Sequence, residues 1–436
     1  MRIAITGGYG FIGEYITRAC LAAGHEVIGF GRDLDYARRI LPGVSWQYCD
    51  FNKDLQSEGW RLQLQSIDMV INCVGVLQRS LIDDPEAVHG DATIALFDGA
   101  MAAGVRRIIH ISALGADADV ETQYSQTKSR ADHYLQAIDD LDWVIFKPSL
   151  IYAQNCYGGT ALLRGFAGLP GFVPLLGGGI QVFQPIAMDD LVAGIMATLT
   201  QDGPIRKTIA ATGPDPITMR DMIGCYRRWL GFKPVSILSV PLWVAQPILW
   251  LGDVAAYAGL NTALRSTSVR QLYKQNTADP RPFIELTGVH PKTMDAALAG
   301  MPSTIGDRLQ ARLFWPLGLL RITLVIFWIA TGLITLFGTL GNAASPFGHL
   351  AAWLGADIAH GSVIAGGIID IILGAWLLTG VRLRLVCLLQ IAVSAAYLAV
   401  LSWLIPGLWG EPLGPLLKVF PIITATLLLA AADERR

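Results

Sequence analysis

Charge is scarce in this chain. Asp, Glu, Lys and Arg make up 16% of its 436 residues, against 53% that are hydrophobic. A soluble domain of average composition carries about a quarter charged residues, so much of this apolar surplus needs a setting other than a water-facing fold. The net charge is −2 and no Lys/Arg run is present, which excludes the electrostatic footprint of nucleic-acid binding. The six cysteines (Cys20, Cys49, Cys73, Cys156, Cys225, Cys387) form no C-x-x-C pair. Neither a zinc knuckle nor a disulfide framework is indicated, and reduced, mostly buried thiols are expected. A signal-peptide core is missing too, because Met1-Arg2 runs straight into a short apolar strand and a glycine loop.

What is present falls into three parts. Strand-like runs at 3–6, 26–30, 44–49, 68–74, 107–111 and 143–147 alternate with helical stretches such as 11–23, 85–103 and 126–138. Apolar strands separated by helices predict a doubly wound parallel α/β sheet of Rossmann type. Residues 150–230 are looser and Gly/Pro-rich, as a small substrate lobe would be, although ordinary surface loops share that composition. Residues 1–230 are therefore expected to form the first domain and 231–312 an apolar, membrane-proximal connecting region. Within the latter, 234–260 carries Trp243 and Trp250 and is interrupted by Pro241, Pro247 and Asp253. Two readings stay open: a helix on or beneath a membrane, and a core helix of the soluble part.

Beyond Arg312 the chain turns apolar. The segments 317–340, 360–379, 383–405 and 414–431 each hold roughly 18–24 residues, enough to cross about 30 Å of hydrocarbon as a helix. Residues 313–436 are thus expected to form a four-helix transmembrane bundle. Arg308 and Arg312 precede the first segment, Arg382 and Arg384 lie between the second and third, and Arg435 and Arg436 follow the fourth. The connections 341–359 and 406–411 hold no Lys or Arg. The positive-inside rule then places both termini in the cytoplasm and the protein in the inner (cytoplasmic) membrane, with Trp315, Trp353, Trp403 and Trp409 near the interfaces. Asp370 falls mid-span, where an acid is costly and functional by default. Arg321 is expected to snorkel or to pair with Asp370, and Lys418 to snorkel. Gly366 and Gly367 are expected to allow close helix packing.

The chemistry-bearing residues begin at Gly7. Gly7, Gly10 and Gly13 are spaced by three after a strand and at the start of a helix, with Tyr9, Phe11 and Ile12 between them. Glycines there permit a tight turn, approach of backbone to a pyrophosphate and close helix–sheet packing. At the end of the second strand the place of the ribose-binding acid is held by Gly31, followed by Arg32 and Asp33. A guanidinium suits a 2′-phosphate, so NADP(H) is expected ahead of NAD(H), with Arg38 or Arg39 as added support and Asp33 as the counter-argument. Asp50 and Phe51 are expected to line the adenine, and Val74 and Gly75 to let backbone approach the cofactor.

TGGYGFIG at 6–13, INCVG at 71–75, HISALGA at 110–116 and YSQTK at 124–128 resemble the short-chain dehydrogenase/reductase superfamily in its extended or atypical branch. KPSLIY at 147–152, which contains Pro148, and FQPIAMDDL at 183–191 are similar to the same branch. The subgroup resembled contains the NADPH-binding accessory subunit of complex I and coenzyme Q-linked proteins, and the membrane part is similar to DoxX-like domains. The resemblance implies Tyr124 as general acid/base, with Lys128 lowering its pKa and holding the nicotinamide ribose. It implies Pro148 at the cofactor and a Ser that polarises the substrate carbonyl, for which Ser112 is the candidate as the neighbour of the usual position. The position that usually holds the catalytic hydroxyl is Ala113, and His89 stands where an Asn is often found. Three readings follow. The first is a membrane-anchored oxidoreductase acting on a lipophilic carbonyl or quinone. The second is a non-catalytic NADPH-binding module of a membrane protein complex. The third is an NAD(P)-dependent epimerase or dehydratase. Fold alone does not decide among them.

Overall fold

The structure, a computed structural model, describes residues 1–76, 83–116, 123–257, 276–338, 346–412 and 414–433. The expected segment ends at Leu260 and Leu340, and the terminal Arg435 and Arg436, lie outside the described residues. The described chain divides into two compact units, one of residues 1–253 and 276–312, the other of residues 254–257 and 313–433.

The first unit is built on a parallel sheet. Its strands are β1 (Arg2–Thr6), β2 (Glu26–Gly31), β3 (Ser45–Tyr48), β4 (Met69–Asn72), β5 (Arg107–Ile111) and β6 (Asp142–Pro148), with Arg206–Ala211 as a seventh. They lie in the order β3-β2-β1-β4-β5-β6, extended by the seventh strand, and every neighbouring pair is parallel. The helices between them are α1 (Phe11–Ala22), α2 (Leu34–Ile40), α3 (Ser57–Gln63), α4 (Ala92–Ala102) and α5 (Gln123–Gln136). Each strand is apolar at consecutive positions because both faces are covered. Ile3, Ile5, Ile71, Ile109 and Val144 enter one core, and Ala4, Val70, Ile108 and Ile145 the other. This is the doubly wound order expected, and it places a crevice at the carboxyl ends of β1 and β4, where the winding reverses.

Much of 231–312 packs into this unit. Phe283 is fully buried and meets Phe146 of β6 at 6.2 Å between ring centroids. A lobe core gathers Leu163, Val173, Phe183, Met222, Tyr226, Met294 and Ala311. Arg164 runs through it, stacked 4.6 Å over Trp229 and paired with Asp307 at 3.3 Å.

In the second unit, three described helices are long and apolar enough to cross a membrane: Ile305–Gly338, Ala356–Thr379 and Leu383–Leu404. The first of these begins within the first unit. The fourth expected span is a shorter apolar helix, Val419–Ala431. Its 13 residues reach only about 20 Å at 1.5 Å per residue, because Gly414 turns the chain at φ +55° and the helix starts only after Lys418. Small residues bring the helices together. A Cβ on Gly367 would lie 3.0 Å from the Gly332 carbonyl oxygen, and one on Gly366 would lie 3.1 Å from the Tyr397 hydroxyl. The expected Arg321–Asp370 pair is not formed. Arg321 donates to the carbonyls of Leu377 and Leu378 at 3.1 and 2.9 Å, capping the C-terminus of helix Ala356–Thr379. Asp370 is buried and instead accepts from the Tyr397 hydroxyl at 3.1 Å.

Candidate functional site

The glycine loop is tight in the way its spacing predicts. Gly7 has φ +66°, its N–H donates to the Phe30 carbonyl, and its own carbonyl accepts from the Gly10 N–H. That carbonyl lies only 2.1 Å from where a Gly13 Cβ would stand. Helix α1 therefore begins directly against the loop, with no side chain capping its first N–H groups. Gly7 also rests on the turn just after β4, since a Cβ there would lie 3.2 Å from atoms of Cys73 and Val74. Phe11 faces Tyr157 at 6.4 Å between ring centroids, while Ile12 packs on the core beneath.

At the end of β2 the organising residue is Tyr9. A Cβ on Gly31 would lie 2.2 Å from its ring, and its hydroxyl accepts the N–H groups of Arg32 and Asp33, each at 3.0 Å. Asp33 caps α2 by accepting from the Tyr36 N–H at 2.9 Å. Arg32 pairs with Asp83 at 2.6 Å. Arg38 pairs with its neighbour Asp35 at 3.7 Å, and both Arg38 and Arg39 are exposed. The Asp50 carboxylate accepts from the backbone and side chain of Asn52. Phe51 is buried with its ring 5.6 Å from that of Trp60, so its ring belongs to the core.

The other end of the crevice brings distant residues together. Gly75 sits over Lys128 and His89, whose Nζ and Nε2 atoms lie 3.6 and 3.7 Å from a Cβ placed there. Lys128 donates to the Ile111 carbonyl at 2.9 Å. His89 lies in a π-helical turn, Glu86–Asp91, and meets the Tyr124 ring edge to face at 5.4 Å. The Val76 N–H donates to His89 Nε2 at 2.9 Å, which leaves Nδ1 to carry the proton toward Thr127 Oγ1 at 3.1 Å. Burial, aided by the Lys128 charge, pushes His89 down to about 2, so the ring is neutral.

Behind this end lies a buried polar file that the sequence reading missed. Thr6, Asn72 and His110 are register partners across β1, β4 and β5. Thr6 donates to Asn72 Oδ1 at 2.8 Å, and Asn72 Nδ2 lies 3.2 Å from His110 Nδ1. Asn72 Oδ1 also accepts the Val74 N–H, so its amide is the donor to His110, whose Nε2–H then faces Asp132 at 3.5 Å. Asp132 further binds Lys147 at 3.1 Å and accepts from Ser112 at 2.8 Å. The Ser112 proton is thus directed inward, away from the role of polarising a substrate carbonyl. Pro148, at the end of β6, accepts through its carbonyl from the Leu114 N–H. Among the described residues, no group of His, Cys, Asp and Glu is arranged to hold a metal.

The comparisons with known proteins agree with this geometry. Residues 7–165 match a family described as NAD(P)H-binding, and residues 325–427 match the DoxX-like family. The chain thus holds a Rossmann-type domain similar to NAD(P)H-binding proteins, followed by a region similar to the DoxX-like family. The chain is 27% identical to the NADH dehydrogenase [ubiquinone] 1 alpha subcomplex subunit 9 of Arabidopsis thaliana, over 54% of its own length and 62% of that protein. The mouse subunit 9 is also 27% identical, over 67% of this chain and 77% of the relative. Sterol demethylase protein B of Methylococcus capsulatus is 28% identical, over 58% of this chain and 81% of the relative. Among solved structures, UDP-glucuronic acid 4-epimerase from Bacillus cereus matches with a TM-score of 0.51 at 18% identity, over 69% of this chain and 97% of that one.

In the NAD(P)H-binding domain, burial and the nearby Asp132 push the Tyr124 hydroxyl up to about 12. The lowering by Lys128 that the resemblance implies is not found, because burial favours the neutral phenol. Burial also pushes Lys128 down to about 8, with Asp132 working the other way. The Tyr124 phenol is therefore neutral at neutral pH.

Proposed function

We propose that this protein is a membrane-anchored, NADPH-dependent oxidoreductase that reduces a lipid-soluble carbonyl or quinone-type substrate. The observation that carries the reading is that Lys128 and His89 meet beneath Gly75, with Tyr124 against the His89 ring, beside the glycine loop, in a chain with long apolar helices. The loop fits a pyrophosphate, since Gly7, Gly10 and Gly13 leave a cradle that a side chain would fill. Asp50, Val74, Gly75, Lys128 and Pro148 would line the rest of the dinucleotide. When bound, NADPH supplies the hydride. Tyr124, protonated at neutral pH, donates the proton to the developing alkoxide. Lys128 holds the ribose side of the site and offers positive charge to it. His89, neutral and fixed through Val76 and Thr127, keeps the Tyr124 ring in place.

Arg32 supports the phosphorylated dinucleotide. Gly31 cannot be an acid without displacing Tyr9, and Asp33 is engaged as a helix cap. Arg32→Ala should weaken NADPH binding about 10- to 100-fold, the worth of a charge-assisted hydrogen bond, while NADH affinity stays within about twofold. Calorimetric titration of both nucleotides checks this, and equal losses for the two would remove Arg32 from the 2′-phosphate.

The activity itself is tested by NADPH oxidation against a panel of quinones and isoprenoid carbonyls. Turnover is expected to hold up to about pH 8 and to fall above it as Lys128 loses its proton, a break that Lys128→Arg should erase. Tyr124→Phe should cost about 10²- to 10⁴-fold in rate with little change in NADPH affinity. No oxidation with any acceptor, together with unaltered behaviour of Tyr124→Phe in cells, would reject the enzyme reading.

A second reading rests on Ala113 and on the inward-turned Ser112, which leave the carbonyl side without its usual donor. In that case the domain holds NADPH as a structural or sensing group within a membrane complex, as the similarity to subunit 9 suggests. Stoichiometric NADPH that co-purifies and never oxidises, with partner proteins on pulldown, is its signature.

A further inference from the structure

We propose that the lobe of the NAD(P)H-binding unit makes a second, independent attachment to the membrane, through an apolar face that rests in the lipid interface. The face is built from strand Ser236–Val240, which pairs in parallel with Phe172–Leu176, from the adjoining turn and from helix Leu242–Tyr257. Its large apolar side chains point outward: Trp243 is 76% exposed, Ile180 68% and Trp250 65%, with Phe172, Leu238 and Leu242 exposed beside them. Exposed apolar surface of this extent marks an interaction site. The expectation of a core helix at 234–260 therefore does not hold for these side chains.

Two features identify the occupant as lipid. First, residues 234–257 are almost uncharged, with Asp253 as the single acid, and carry two tryptophans seven residues apart, the side chain that settles at the headgroup level of a bilayer. Secondly, the lobe is clamped to the residues that lead into the first apolar span. Asp307 pairs with Arg164 at 3.3 Å, Gln310 donates to Cys156, and the Ala311 backbone packs against Gly168 so closely that a Cβ there would lie 2.1 Å from its carbonyl oxygen. Arg312 stacks on Phe232 at 4.8 Å, just upstream of strand Ser236–Val240. The apolar run starts at the very next residue, Leu313, and the helix continues unbroken. The lobe is thus tethered within a turn or two, at about 1.5 Å per residue, of the first residues of the apolar run. This inference does not depend on nucleotide turnover.

The test places p-benzoylphenylalanine at position 243, and separately at position 180, in the full chain reconstituted into nanodiscs of phosphatidylethanolamine and phosphatidylglycerol. Position 62 serves as control, because Leu62 is 56% exposed on α3 of the same unit. After irradiation and mass spectrometry, lipid adducts are expected at 243 and 180 and none at 62. Protein–protein adducts at 243 would assign the face to a partner or a second copy and overturn the proposal. Equal yields of lipid adduct at 243 and 62, or none at either, would overturn it as well. NADPH titration of the same samples separates this outcome from failure of the nucleotide reading.

Discussion

Gly13→Ala is expected to abolish dinucleotide retention by the purified protein. The added Cβ would stand 2.1 Å from the Gly7 carbonyl oxygen and 2.9 Å from both the Gly7 carbonyl carbon and Gly8 Cα. These are backbone atoms of the turn that forms the cradle, so the clash cannot be relieved by a side-chain rotation. Overpacking of this kind costs about 1–3 kcal/mol, and here the relaxation has to open the loop itself. Affinity should therefore fall by about 100-fold or more, since each 1.4 kcal/mol is tenfold and the pyrophosphate contacts are lost together. Gly59→Ala is the matched control: that glycine also lies in a helix, and a Cβ there meets nothing within 4 Å. Fluorescence titration with NADPH separates the two. Wild-type affinity in Gly13→Ala would mean that the loop does not carry the phosphates.

The second large effect is expected at Asp132. This buried carboxylate joins Lys147, Ser112 and His110, and burial lifts its pKa above the ordinary value although Lys147 and Ser112 oppose the shift. Removing one partner of a buried ionic group leaves the others uncompensated, at a cost of about 3–5 kcal/mol. Asp132→Ala should then lower the melting temperature of the first unit by roughly 6–20 °C. Asp132→Asn keeps the volume and one acceptor, and should cost less. A functional sign follows as well. Asp132 raises the Lys128 pKa, so Asp132→Asn should move the high-pH break in activity below its wild-type position near pH 8. An unchanged break together with an unchanged melting temperature would leave the polar file without a role.

Local spacing made the fold and the front of the site readable. The alternation of apolar strands with helices pointed to a doubly wound parallel sheet, and the glycine triad carried its own steric reason. Tyr124 and Lys128 were singled out by the resemblance of YSQTK to the superfamily motif, and their spacing of four explains only why they share a helix face. The polar file was hidden because its members come from strands 38 and 66 residues apart in sequence and meet only through sheet register. The available signal was a polar residue within an apolar strand, such as His110 in β5, and a further member, Asp132, one turn beyond Lys128. The alternative that paired Arg321 with Asp370 failed for a similar reason. Charge alone suggested Asp370, but the helices align Arg321 with Leu377 and Leu378, about 10 Å farther along the helix axis.

Tyr9 has a consequence for how this site can change over time. Its ring occupies the space of any side chain at position 31, and its hydroxyl satisfies the two backbone N–H groups that follow. An acid for a ribose hydroxyl cannot be introduced at Gly31 alone, because the ring would be expelled and both N–H groups left unpaired. Removing Tyr9 first opens a gap beside Trp46 and Tyr36, its aromatic neighbours at 5.6 and 6.0 Å. Each single step toward a different nucleotide is worse than its starting point, and only the double exchange reaches new ground. The preference for NADP(H) proposed above would thereby be guarded by a fitness valley whose walls are one phenol ring.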